Sequence, residues 1–228
     1  MTQREIIYDI REKLKLNSDD IDITDDYLAH LIDVKRVYLI KQRFSKFTKN
    51  IPEEVKQVIC LDLEVVESIY GEPCFGDILT TKEPIPGLLE IGGRSALVAV
   101  RVMDMLHPHI NIIPTERLPY VGYNKWLKKQ IYVALDANNK LYFKSDNSQH
   151  LNLKSIKVVG VFADPKDAEA LSCAEDSSNN INCDFKDVEY PIEAYLVSDL
   201  VNLIVKELAP GINVPNDNVN NADASNRN

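Results

Sequence analysis

Residues 24–47, TDDYLAHLIDVKRVYLIKQRFSKF, read as one long helix with apolar side chains on two faces. At about 100° per residue, Tyr27, Leu28, Leu31, Ile32, Val34, Tyr38 and Leu39 gather on one side. Val37, Ile40, Phe44 and Phe47 gather on another. A surface helix needs one apolar stripe, turned to its own core. Two stripes need two partners, and the second is either another layer of the same chain or a neighbouring subunit. The pattern leaves both open, so Val37, Ile40, Phe44 and Phe47 stand as candidate subunit-interface residues.

The rest of the chain supplies the layers around this helix. Thr2 and Glu5 have capping-box spacing and open a first helix with Ile6, Ile7, Ile10 and Leu14 on one face. Thr24 caps the long second helix, with Asp25 and Asp26 at the positive end of its dipole. Pro52, Glu53 and Glu54 have the chemistry of a helix start, and Val55, Val58, Ile59 and Leu63 follow as the buried side of an expected third helix. Residues 64–71 fit either a helix or a strand. From Cys74 to Phe162 short apolar runs alternate with Pro, Gly and Asn, which predicts strands, with a hairpin turn between Leu135 and Leu141. A short helix follows Asp164-Pro165. After it comes a polar, acidic loop, and then a last helix from Pro191 to Pro210-Gly211 with Ile192, Leu196, Leu200, Leu203, Ile204 and Leu208 on one face.

This order predicts an α+β fold: a bundle of three N-terminal helices and one C-terminal helix, with an inserted antiparallel β-rich domain. The expected parts are residues 1–73 (helical), 74–163 (β-rich), 164–211 (short helix, acidic loop and returning helix) and 212–228. The last part is Asn/Asp-rich and too poor in apolar residues to order by itself. Its apolar residues nearest the last helix, Ile212 and Val214, are the expected anchors on a partner.

Chemistry is sparse. The net charge of −9 argues against a protein that binds DNA by neutralising phosphates. No apolar run is long enough to cross a membrane as a helix, and the charged start is unlike a signal sequence, so synthesis in a cytoplasm is expected. His107-Pro108-His109 lacks a third ligand, and Gly92-Gly93-Arg94 lacks the spacing of a phosphate loop. Cys60 reads as a small buried hydrophobe. Cys173 and Cys183 flank the polar loop and are placed to pair if oxidised, although a reducing cytoplasm favours free thiols. Tyr120, Tyr123 and Trp126 fit a β-domain core better than a contact patch. No catalytic residue, metal ligand or cofactor site is expected.

Several stretches taken together resemble the head-to-tail adaptor (ring) proteins of crAss-like bacteriophages. They are DDIDITDDYLAHLIDVKRVYLIKQRF, IPEEVKQVICLDLEV, NIIPTERLPYVGYNKW, IYVALDANNKLYF and YPIEAYLVSDLVNLIVKELAPG. The resemblance implies a non-enzymatic virion protein. Its implied assembly is a homo-oligomeric ring, expected to be twelvefold, between the portal protein and adjoining tail or ring proteins. Double-stranded DNA would pass transiently through its channel, with no membrane contact. Another tail-barrel ring or minor virion protein is the nearest alternative. A small phage enzyme or regulatory binding module is the alternative from a different class.

Overall fold

A computed structural model describes residues 1–15, 23–45, 51–66, 78–103, 110–121, 126–127, 130–146, 148–173 and 184–212. It has a mixed α and β architecture that divides into two units. One is Met1–Gln42 with Lys186–Asn228, the other Arg43–Phe185.

The first unit is built from helices α1 (Gln3–Lys15), α2 (Asp25–Phe44) and α4 (Ala194–Ile212). The capping box at its start is present: Glu5 N donates to Thr2 Oγ1 at 3.2 Å and Thr2 N to Glu5 Oε2 at 2.9 Å. Thr24 Oγ1 accepts from Tyr27 N at 3.3 Å. The three helices share one core, with Ile6 and Ile10 from α1, Leu28 and Ile32 from α2, and Leu200 and Ile204 from α4 all fully buried. α4 continues two residues past Pro210, where the sequence predicted a stop.

The segment before α4 is held from two sides. Tyr190 N donates to Met1 O at 3.0 Å, and Thr2 bridges Glu189. Arg36 of α2, fully buried, donates from Nε to Pro191 O at 2.8 Å and lies 5.9 Å from the centre of the Tyr190 ring. The Tyr190 hydroxyl donates to Asp33 Oδ1 at 2.6 Å. A buried guanidinium is tolerable only when its charge and donors are answered, and here a carbonyl and an aromatic face contribute to that.

The expected third helix is a strand. After one 3-10 turn, Glu53–Val55, the chain runs extended as β1 (Gln57–Val66). Ile59, Leu61 and Leu63 are buried while Asp62 and Val58 are exposed, a period of two rather than 3.6. Val58, Ile59, Val65 and Val66 are β-branched, which favours the pleat. Residues 64–66 are therefore strand, and 67–71 lie outside the described residues.

Six further strands join β1 in one sheet: β2 (Ile78–Thr81), β5 (Leu97–Val102), β6 (Asn111–Ile112), β7 (Tyr132–Leu135), β8 (Leu141–Lys144) and β9 (Ser155–Gly160). The order is β5-β9-β1-β2-β8-β7-β6. β1 pairs antiparallel with β9 over Gln57–Asp62 and with β2 over Leu63–Val66. That offset is the stagger a sheet needs to curl. Ile110 N donates to Val100 O at 3.1 Å, which brings the two ends of the sheet together, so it is nearly closed. One pair, β6 with β7, is parallel, contrary to the expected all-antiparallel sheet. The connection through residues 113–131 is long enough to make that crossover.

Ile59, Leu79, Val100, Val133, Leu141, Ile156 and Val158 fill the interior without exposure. The buried Thr80 and Thr81 hydroxyls are answered by Leu141 O and Leu141 N. At the β7–β8 turn, Asn139 sits at φ 57°, a left-handed position that asparagine tolerates. The short strands β3 (Glu90–Ile91) and β4 (Arg94–Ser95) form a separate hairpin, and Gly92 and Gly93 at φ 60° and 74° make its turn.

Helix α3 (Pro165–Ala170) packs on β1. Cys60 is bonded to Cys173, not left as a free thiol, and Cys173 does not pair with Cys183. Strand alternation turns Cys60 away from the Ile59–Leu61 side. Cys60 N donates to Leu171 O at 2.8 Å and Ser172 bridges Ile59, which brings the two Cα atoms to 5.0 Å.

Candidate subunit-contact surfaces

Of the residues proposed from sequence as an interface, Ile40 and Phe44 fall on the inner side of α2. Ile40 is fully buried, Phe44 is 4% exposed and Val37 is half-buried. Ile40 and Phe44 are buried within the chain itself and offer a neighbour almost no surface. Phe47 and Val214 lie outside the described residues, and Ile212 is the last residue of α4.

Two apolar faces nevertheless exist on α2, divided differently. The buried one runs Leu28, Leu31, Ile32, Leu39, Ile40 and Phe44. The other is Tyr27, Val34 and Tyr38, exposed by 48%, 46% and 54%. Spacings of seven and four residues place these three within about 20° of one line along the helix, nearly opposite the buried stripe. The stripe is about 16 Å long at 1.5 Å per residue.

A second exposed apolar group lies on the connection between β6 and β7. A 3-10 turn, Thr115–Tyr120, follows Pro114 and contains Pro119. Thr115 Oγ1 donates to Leu135 O at 2.8 Å and Lys144 Nζ to Pro119 O at 2.9 Å, so the turn is fastened to β7 and β8. Tyr120 is 80% exposed and Trp126 85%. Tyr120 and Trp126, assigned from sequence to a β-domain core, are therefore on the surface. Tyr123 lies outside the described residues.

Around these patches the charges of the helical unit are mostly engaged internally. Arg11 pairs with Asp25, Lys186 with Asp26, and Lys35 with Glu207. Arg4 forms a two-point contact with Asp187. Its hydrogen bond, with its charge adding, holds the Asp187 carboxyl below the ordinary value of 3.8 against a smaller opposing effect of burial.

Gly92-Gly93-Arg94 is spent on a hairpin turn, with no helix N-terminus to complete a phosphate site. His107 and His109 lie outside the described residues. Among the described residues, no group of three or more His, Cys, Asp or Glu side chains could hold a metal ion, and no helix is long and apolar enough to cross a membrane.

Comparison with known proteins gives the family. Residues 5–226 match a family described as phage tail ring protein 2, of the crAss type. Over 223 residues the chain is 41% identical to "Ring protein 2" of Bacteroides phage crAss001, covering 97% of this chain and 96% of that protein. The chain belongs to the phage tail ring protein 2 family of crAss-like phages.

Proposed function

We infer that this chain is a structural, non-catalytic component of the virion tail whose copies close into a ring between portal and tail, around the path of the DNA. The observation that carries this is the Tyr27–Val34–Tyr38 stripe. A helix with its inner face already filled keeps two tyrosines and a valine in line on its outer face, and a repeated neighbour is the economical cover for them. The interface reading thus moves from Val37, Ile40, Phe44 and Phe47 to the opposite side of the same helix. The net charge of −9 suits a wall past which DNA must slide without sticking. Twelvefold order and contact with the portal come from the resemblance. The stretch after α4, starting at Ile212 and Val214, is the proposed attachment to an adjoining virion protein.

Imaging assembled particles with this chain located tests the reading. A closed ring of copies on the tail axis at the portal is expected. Copies scattered singly on the particle, or a ring elsewhere in the tail, would refute respectively the ring and its position.

A further inference from the structure

We propose that the outer face of the β5-β9-β1 sheet on one copy receives the outer face of α4 from the next, with Asp199 of α4 seated between Arg101 and Lys157. This rests on the ring reading above and is independent of the α2 stripe. A ring of identical chains related by rotation repeats a heterologous contact, so each chain must carry two different surfaces that fit each other.

The sheet supplies the receiving surface. Alternation along β5, β9 and β1 turns Val100, Val158 and Ile59 inward, fully buried, and the residues between them outward. The pairing register lays two outward rows side by side across the three strands, Ala99–Val159–Val58 and Arg101–Lys157–Cys60. The solvent face of an antiparallel sheet is ordinarily polar, yet Val58 is 45% exposed and Val159 and Ala99 are half-buried. In the next row Arg101 and Lys157 stand directly opposite each other, which is unfavourable for like charges unless an anion answers both. Lys144, the other cation on the strands of this sheet, donates to Pro119 O. Arg101 and Lys157 make no hydrogen bond or ion pair among the described residues. An apolar row beside a cation pair fits a protein carboxylate with a large apolar neighbour better than it fits a bare phosphate backbone.

The three long helices carry one such carboxylate. Asp199, exposed on α4, makes no hydrogen bond or ion pair among the described residues, whereas every other carboxylate on α1, α2 and α4 is engaged within the chain. Tyr195, 53% exposed, precedes Asp199 by four residues and so shares its face of the helix. Four residues of helix rise about 6 Å. The two sheet rows, two residues apart along each strand, are separated by about 6.8 Å. A helix laid along the strands therefore sets the Tyr195 ring on the valine row and the Asp199 carboxylate between Arg101 and Lys157 in one register. The ring supplies contact area, and the opposite charges fix the register and reject like-signed partners.

The test is zero-length cross-linking in assembled particles with a carbodiimide, which joins a lysine amine to a carboxylate when the two are in contact. Unmodified particles should give a ladder of copies extending beyond the dimer, with the Lys157–Asp199 amide identified by mass spectrometry of the cross-linked peptides. K157R should keep the chain in particles and lose that link. R101E/K157E should lower incorporation into particles by about tenfold, and adding D199K should restore it, because the charges are then exchanged rather than lost. A ladder lacking the Lys157–Asp199 peptide, a triple variant no better than the double, or a link from Lys157 to a different virion protein overturns the pairing. Particles of R101E/K157E with a normal complement of this chain but less retained DNA would mean that the cations meet phosphate, and overturn it too. A longer lysine-reactive cross-linker on unmodified particles separates the two levels. Multimers there without the Lys157–Asp199 link refute the pairing and leave the ring, whereas no multimers of this chain at all would refute the ring itself.

Discussion

The two faces of α2 make opposite predictions for one pair of substitutions. Phe44 is 4% exposed, so Phe44→Ala removes a ring from a packed site and leaves a cavity. Such a truncation costs about 3–5 kcal/mol. In a chain of this size each kcal/mol shifts the melting temperature by roughly 2–4 °C, so the expected fall is about 6–20 °C. Tyr38, at 54% exposure, keeps half of its surface in water. Tyr38→Ala should change the stability of the isolated chain by only about 0.5 kcal/mol while weakening association. Thermal unfolding by circular dichroism, read beside incorporation into particles, separates the two effects. If Phe44→Ala melts like the parent yet fails to assemble, and Tyr38→Ala assembles normally but melts early, the assignment of inner and outer faces is reversed.

Three further outcomes are expected. Reducing the Cys60–Cys173 bond, or Cys60→Ser, frees a loop closed across a separation of 113 residues and should lower stability by about 2–4 kcal/mol, read as the shift in urea unfolding with and without reductant. Asp187 is held below 3.8 by Arg4, so the stability it contributes is complete above that value and is lost as pH falls through its lower folded value. Arg4→Ala should raise the Asp187 titration midpoint towards 3.8 in an NMR carboxyl titration, and an unmoved midpoint would exclude the pair as the cause. Gly160→Ala would place a methyl 2.8 Å from Leu88 Cδ2 and 3.3 Å from Ala96 O inside the sheet, at an expected cost of about 1–3 kcal/mol in thermal unfolding.

The sequence was most legible where chemistry is local. The Thr2/Glu5 box, the Thr24 cap, the Asn139 turn and the runs that became β2, β5, β7, β8 and β9 all follow from neighbours in the chain. It was least legible where distant residues decide. Pro52-Glu53-Glu54 is a sound helix start and does produce a turn of helix, but pairing with β9 and β2 captures the β-branched run that follows. Only tertiary partners could overrule that start. The Cys60–Cys173 bond was hidden for the same reason, because the two residues meet only once β1 and the end of α3 are side by side. The exposure of Tyr120 and Trp126 was missed because aromatic content gives no sign of which side of a loop meets the sheet.

The misreading of α2 has a sharper cause, which is Arg36. The buried face of the helix runs through Leu28, Leu31, Ile32, Arg36, Leu39, Ile40 and Phe44, with a charge in its middle. An apolar pattern cannot cross that position, so one continuous face reads as two, and Ile40 and Phe44 are split off as if they faced elsewhere. The gap closes once Pro191 O and the Tyr190 ring are known to receive the guanidinium. Both belong to a segment more than 150 residues further along the chain. With Arg36 counted inside, the exposed apolar residues left over are Tyr27, Val34 and Tyr38, while Val37 and Ala29 are half-buried. The buried charge that disguised the core of α2 is thus what isolates its outer stripe, the surface a neighbouring copy is proposed to cover.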